Sequence, residues 1–137
     1  MKIMFDTSVL VAALAEHHPN HGIAFPWLQR AASDNDNFII AAHTLAELYA
    51  VLTRLPVSPK IQPDMARMLI RENIEKHIAI VTLDQKDYLQ VLDNMSDSEL
   101  SGGIIYDALL VQTARKSGID ILLTFNSASM AGGNRHY

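Results

Sequence analysis

Four short apolar runs separated by longer helical segments constrain the fold of this chain more than any other feature. The runs are residues 2–5, 38–41, 78–81 and 119–124. Each has the length of a strand and is apolar enough to be buried on both faces. Strands that alternate with helices predict a mainly parallel sheet with helices on both sides. The pattern therefore predicts an α/β fold.

Local signals place the helices between these strands. Pro26 is expected to interrupt the second helix. Thr82 and Gln85 have the spacing of a capping box, and Gly118 is expected to end the last helix. The predicted helices cover residues 7–16, 20–33, 44–54 and 63–76, the segment after Thr82, and the segment from the loop 96–103 to about Lys116.

Composition limits the kind of protein. The chain has 137 residues, of which 49% are hydrophobic and 19% charged, with no cysteine; we expect a single domain over residues 1–137 with a sizeable core and no disulfides. The apolar run from Val9 to Ala15 is too short for a signal peptide or a membrane span, so a cytoplasmic protein without a membrane partner is expected. The net charge of −4 argues against simple electrostatic nucleic-acid binding, but not against a nuclease in which a metal supplies positive charge.

Three acidic residues lie at strand-to-helix transitions in mostly apolar surroundings. Asp6 follows the first strand, and Glu47 is expected in the first turn of an apolar, buried helix after the second strand. Asp107 is expected in the first turn of the helix before the fourth strand, and Asn126 follows that strand. Right-handed crossovers bring all these positions to one edge of the sheet, where open α/β sheets bind ligands. Because carboxylates in apolar surroundings need compensation, the pattern predicts a cation site.

Each acid also has a structural interpretation. Asp6 could cap a helix, although Thr7 or Ser8 could serve instead. Glu47 could pair with Arg54 or interact with the helix dipole, as Asp107 could.

Two other polar clusters receive mainly structural interpretations. Asp84 and Asp87 are expected to lie in the first turn of a capped helix. The pair His17 and His21 has the i, i+4 spacing of zinc ligands, but Pro19 lies between them and no fourth ligand is evident.

Ordered motifs make the chain resemble the PIN-domain family, and within it the VapC-type toxins. The matching motifs span residues 1–126: Met-Phe-Asp6-Thr-Ser-Val-Leu, Leu45-Ala-Glu47-Leu-Tyr, Gly102-Gly-Ile-Ile-Tyr-Asp107-Ala-Leu and Leu123-Thr-Phe-Asn126. The resemblance implies a three-layer α/β/α PIN-like sandwich with four to five strands. The fifth, edge strand is expected to be short or missing, because residues 127–137 resemble a loop.

The same resemblance implies a ribonuclease that uses Mg²⁺ or Mn²⁺. Asp6, Glu47 and Asp107 would be the acidic metal ligands. Asn126 is neutral where many relatives have Asp, so a second metal would be held more weakly. Thr7, Ser8 and Thr124 would support the site, with Thr124 at a position where Ser or Thr is common.

Partners follow from the resemblance and from the local charge. An RNA substrate, a small VapB-like antitoxin and a homodimer are expected. Arg54 and Lys60 lie in a locally basic region and are candidate RNA contacts, whereas Arg67 and Arg71 are more consistent with a solvated helix face.

Two alternatives remain open from the sequence. A receiver-like signalling domain also has an acidic, Mg²⁺-binding edge, but it needs a second acid beside Asp6 and a Lys near the last strand. A PIN domain without catalytic activity that serves as a binding module is the other alternative.

Overall fold

The consecutive apolar residues Ile3, Met4 and Phe5 form a strand that is buried on both faces. This strand is the middle one of five in the computed structural model, which describes residues 1–33, 36–126 and 135–136. Side chains alternate across a strand. Ile3 and Phe5 therefore pack into one core cluster, whereas Met4 packs into another on the opposite face of the sheet.

Helices and strands alternate along the chain as predicted. The strands are β1 Lys2–Phe5, β2 Asn37–Ala41, β3 Ala79–Val81, β4 Ile121–Leu123 and β5 Arg135–His136. The helices are α1 Thr7–Leu14, α2 His21–Ala32, α3 Ala42–Arg54, α4 Pro63–Ile70, α5 Gln85–Asp97 and α6 Ile104–Ser117; α4 continues into a π-helical segment, Arg71–Glu75.

All the strand pairs are parallel, in the order β3-β2-β1-β4-β5. The chain moves outward from β1 to β3 and then crosses back to β4 on the other side of β1. This reversal puts α1 to α4 on one face of the sheet and α5 and α6 on the other, as the core clusters show. The predicted three-layer sandwich is confirmed, and the fifth strand is present but short.

The larger core cluster lies under α1 to α4. It includes Phe5, whose ring stacks on Phe38 of β2 at a centroid distance of 5.4 Å. Complete burial of a side chain of this size stabilises a fold by roughly 1.5–3 kcal/mol. Such packing fixes the strands that carry the predicted site residues.

Two expectations about the early helices are wrong. Helix α2 runs through Pro26 without a break. The proline removes one backbone hydrogen bond, but it lies on the exposed side of the helix, where water can satisfy the freed carbonyl, while Ala24 and Leu28 hold the other side in the core. Helix α3 begins at Ala42, directly after β2, and is amphipathic rather than buried all round, because Tyr49 is 40% exposed.

Several predicted boundaries also change. Asp84, not Thr82, caps α5; its side chain accepts a hydrogen bond from Asp87 N, and the Asp87 carboxylate accepts one from Asp84 N. The structural interpretation of both aspartates is therefore confirmed, whereas the Thr82/Gln85 capping box is wrong. Gly118 ends α6 in a left-handed conformation, with φ of 62°, as predicted. Residues 127–134 and 137 of the predicted terminal loop lie outside the described residues.

Among the described residues, no helix has both the length and the apolar character needed to cross a membrane.

Candidate active site

A cleft of about 470 Å³ opens at the carboxyl end of the sheet, beside the adjacent ends of β1 and β4. This is the point where the strand order reverses, the usual ligand site of open α/β sheets. Asp6, Glu47, Asp107 and Asn126 all line it. The structure therefore brings together the four residues that the sequence placed at one edge.

Asp6 both begins α1 and faces the cleft. Its Oδ1 accepts a hydrogen bond from Thr7 N at 2.7 Å, so Asp6 is the N-cap, and the alternative caps Thr7 and Ser8 are not used. Its Oδ2 accepts from Thr124 Oγ1 at 2.6 Å and from Ser8 Oγ at 3.2 Å. Three donors from two elements therefore fix the orientation of this carboxylate.

The hydroxyl groups of Ser8 and Thr124, which donate to Asp6, also connect the end of β1 to the segment after β4. Ser8 Oγ accepts a hydrogen bond from Phe125 N at 3.1 Å, and Thr124 Oγ1 accepts one from Asn126 N at 2.9 Å. Thr124 is completely buried. The predicted supporting residues Ser8 and Thr124 thus contact the site directly. Thr7 also lines the cleft, and its buried Oγ1 has no hydrogen-bond partner among the described residues.

Glu47 lies in the second turn of α3, not in the first, because the helix begins earlier than predicted. Its Oε1 is 3.3 Å from His43 Nε2, one turn before it. The alternative pairing with Arg54 is wrong, since Arg54 Nε donates to the carbonyl of Ala50 instead. The pKa of Glu47 is raised by burial, and further by the negative charges of Asp6 and Asp107.

Asp107 approaches the same cleft from the opposite helical layer, in the first turn of α6. Its pKa is raised by burial and then by the charge of Asp6. Burial and nearby negative charge thus disfavour the ionised forms of Glu47 and Asp107, and a bound cation would relieve this repulsion.

The donor set fits a small divalent cation in its chemistry. Mg²⁺ and Mn²⁺ prefer carboxylate oxygens, and Mg²⁺ usually takes one or two carboxylates and keeps several waters. Within residues 1–33, 36–126 and 135–136, no three His, Cys, Asp or Glu side chains stand close enough to hold a metal ion together. The carboxylates therefore suit a partly hydrated ion better than a closed protein shell.

The predicted RNA contacts do not reach the cleft. Arg54 is exposed at the end of α3, and Lys60 is exposed in the following loop; neither lines the cleft. The zinc interpretation of His17 and His21 finds no support in the described part of the chain, and a ring nitrogen of His21 contacts the carbonyl of Ala12 at 2.9 Å.

Sequence reasoning missed three polar residues at or behind the site. His18 and Asn20, from the α1–α2 loop, line the cleft. No spacing signal identifies them, because their approach depends on how this loop folds over the sheet edge. His43 contacts Glu47, and its i, i+4 spacing to that residue was a usable signal.

Comparisons with known proteins identify the family of this chain. The sequence model of the PIN domain matches residues 3–130. Ribonuclease VapC40 of Mycobacterium tuberculosis is 33% identical over 117 residues, which cover 85% of this chain and 81% of that protein.

Two solved structures share the fold at lower identity. The crystal structure of Mycobacterium tuberculosis VapC20, described as a sarcin-ricin loop cleaving toxin, has a TM-score of 0.72 and 19% identity, and covers 93% of this chain and 92% of that one. A toxin–antitoxin complex from Klebsiella pneumoniae has a TM-score of 0.60 and 18% identity, and covers 95% and 91%. The chain therefore belongs to the PIN-domain family, among its VapC-type proteins.

Proposed function

We propose that this chain is a metal-dependent endoribonuclease that acts as the toxin of a toxin–antitoxin pair. The observation that carries the proposal is the convergence of Asp6, Glu47 and Asp107 in one cleft. Burial and the negative charge of neighbouring acids raise the pKa values of Glu47 and Asp107, which supports a cation there. The nuclease activity is supported by the family and by the relative that is named a ribonuclease.

The side chains of the cleft have distinct roles in this proposal. A bound Mg²⁺ or Mn²⁺ supplies water activation and neutralises the charge that develops on the phosphate. Asp6 and Asp107 would hold the ion directly, and Glu47 would hold it through water. Ser8 and Thr124 keep the Asp6 carboxylate in one orientation through their hydrogen bonds.

The cleft binds the RNA backbone so that a water attacks phosphorus opposite the bond to the 3′ oxygen. Breaking that bond leaves one product with a 5′-phosphate and the other with a 3′-hydroxyl. Asn126 supplies a neutral amide beside Asp6, which favours one firmly held ion over two. Arg54 and Lys60 contact phosphates only at a distance from the cleaved bond, because they lie outside the cleft.

The family also suggests protein partners, in addition to the RNA substrate. One structural neighbour is described as a toxin–antitoxin complex. We infer that a small VapB-like antitoxin binds this chain and blocks the acidic cleft, and that the chain forms a homodimer. The receiver-like alternative lacks support, since Thr7 occupies the position where a second acid would be needed.

Cleavage of a labelled RNA by the purified protein tests the proposal. We expect cleavage with Mg²⁺ or Mn²⁺, and none with EDTA or in Asp6→Asn. The Asn side-chain oxygen can still accept the hydrogen bond from Thr7 N, so the variant should fold. Asp64→Asn, at an exposed position in α4, is the control and should cleave normally.

Full activity of the folded Asp6→Asn variant would contradict the assignment of the site. Lack of cleavage by the unsubstituted protein on every RNA tried, with intact metal binding, would favour the binding module without catalytic activity.

A further inference from the structure

His43 does not line the cleft itself, but its ring contacts both helices that carry acids of the cleft, α3 and α6. It occupies the first turn of α3, one turn before Glu47, and its side chain is only 13% exposed. Its Nε2 is 3.3 Å from Glu47 Oε1. The i, i+4 spacing puts both side chains on the same face of the helix, so the ring nitrogen contacts the Glu47 carboxyl group.

The His43 ring also contacts α6. It forms a hydrogen bond with the backbone of Tyr106, the residue directly before Asp107. The two helices otherwise belong to opposite layers: α3 packs mainly against α1 and α4, and α6 against α5. Both polar contacts of the ring therefore involve segments that carry the predicted metal ligands.

We propose that His43 is a positioning residue that holds the Glu47 carboxyl group in the cleft and sets its spacing from Asp107. This inference rests on the proposed metal-dependent function. A histidine that merely filled the core would contact apolar side chains, whereas this one connects a glutamate to the backbone beside the next acid.

Glu47 needs such support because its surroundings favour movement of its side chain out of the cleft into solvent. Its side chain is 40% exposed, and both nearby acids repel its negative charge. A glutamate side chain also gains conformational entropy when it is released into solvent. The His43 contact opposes this release, and residues of this type that orient metal ligands commonly change metal affinity by about 10–100-fold.

Mn²⁺ binding to the free protein, measured by isothermal titration calorimetry without RNA, tests the inference. We expect His43→Ala to weaken Mn²⁺ binding by about tenfold. His43→Gln, which keeps an amide donor near Glu47, should restore part of the affinity. His77→Ala changes an exposed histidine and should bind as the unsubstituted protein does.

A double-substitution cycle separates positioning from general structural damage. In a Glu47→Ala background, His43→Ala should cause no further loss of affinity, because its partner is already absent. In RNA cleavage, His43→Ala should lower kcat more than it raises KM.

The outcomes distinguish the two proposals. Unchanged Mn²⁺ affinity in His43→Ala, with weakened binding in Glu47→Ala, overturns the inference alone. If His43→Ala lowers the Mn²⁺ affinity equally with and without Glu47, His43 has a general structural role, and this result also overturns the inference. Absence of Mn²⁺ binding by the unsubstituted protein overturns both this inference and the metal dependence of the proposed function.

Discussion

Single side chains in this protein serve the fold and the cleft at once. Asp6 caps α1 through Oδ1, while its Oδ2 receives the hydroxyl groups of Thr124 and Ser8. A carboxylate held by several donors loses little further freedom when it binds a cation, so affinity improves through preorganisation. The structural and functional interpretations of Asp6 are therefore compatible.

The Thr124 hydroxyl group, which donates to Asp6, can be tested by substitution. Thr124→Val keeps the shape but removes the shortest hydrogen bond to Asp6 Oδ2 and the bond that Thr124 Oγ1 accepts from Asn126 N. We expect a loss of about 1–3 kcal/mol in the free energy of unfolding, measured by urea denaturation, and weaker metal-dependent cleavage. Thr124→Ser retains the hydroxyl group and should keep most of the activity. Equal activity in the two variants would show that the hydroxyl group is dispensable.

Replacing Asp107 with Asn should stabilise the metal-free protein by an amount that depends on pH. Its pKa is raised above the ordinary value of 3.8 by burial and by Asp6, so its ionisation destabilises the folded state. Asp107→Asn should therefore stabilise the metal-free protein at pH 7 by up to about 1 kcal/mol, a small value because solvent screens the group. The gain should shrink as the pH falls through the raised pKa towards 3.8, since the wild-type carboxyl group becomes neutral there.

Thermal unfolding in EDTA at several pH values measures this effect. Asp93→Asn, at an exposed position in α5, is the matched control and should change little. A gain in Asp107→Asn that grows on acidification would have the wrong sign for this explanation. Cleavage should be lost in Asp107→Asn at every pH.

At the scale of elements, the order of strands and helices could be predicted, but several boundaries could not. The apolar runs demand burial on both faces, which leaves few alternatives. Thr82 and Asp84 are both good N-caps; the two hydrogen bonds exchanged by Asp84 and Asp87 favour Asp84, so the helix begins at Gln85. Helix α3 begins without a side-chain cap, so the sequence contains no capping residue that would predict its start at Ala42. This shift of the start from residue 44 to Ala42 is why Glu47 lies in the second turn of its helix and not in the first.

The ends of helices give a matched pair of glycine substitutions. Gly118 has φ of 62°, whereas Gly22 lies within α2, and an added Cβ there meets no atom within 4 Å. Gly118→Ala should lower the free energy of unfolding by about 1 kcal/mol, because left-handed backbone is costly for alanine. Gly22→Ala should raise it by roughly 0.5–1 kcal/mol. Both variants can be compared by urea denaturation, and a destabilised Gly22→Ala would contradict this account.

At the scale of the whole molecule, the cleft joins the two helical layers. Asp6 comes from the end of the central strand, Glu47 from one layer and Asp107 from the other. The convergence at one edge could be predicted from parallel crossovers alone. The strand order, the α1–α2 loop at the cleft and the His43 contacts could not, because they depend on long-range packing that no local pattern encodes.

A cation that contacts all three parts should stabilise the whole fold. A ligand that binds only the folded state adds about 2.7 kcal/mol at a concentration 100 times its Kd. We expect Mn²⁺ to raise the Tm of the unsubstituted protein with increasing concentration, and to have much less effect on Asp6→Asn. Asp64→Asn should respond fully, because it leaves the cleft intact. An equal rise in Tm for Asp6→Asn and the control would mean that the ion acts elsewhere, and the three carboxylates would then need another explanation.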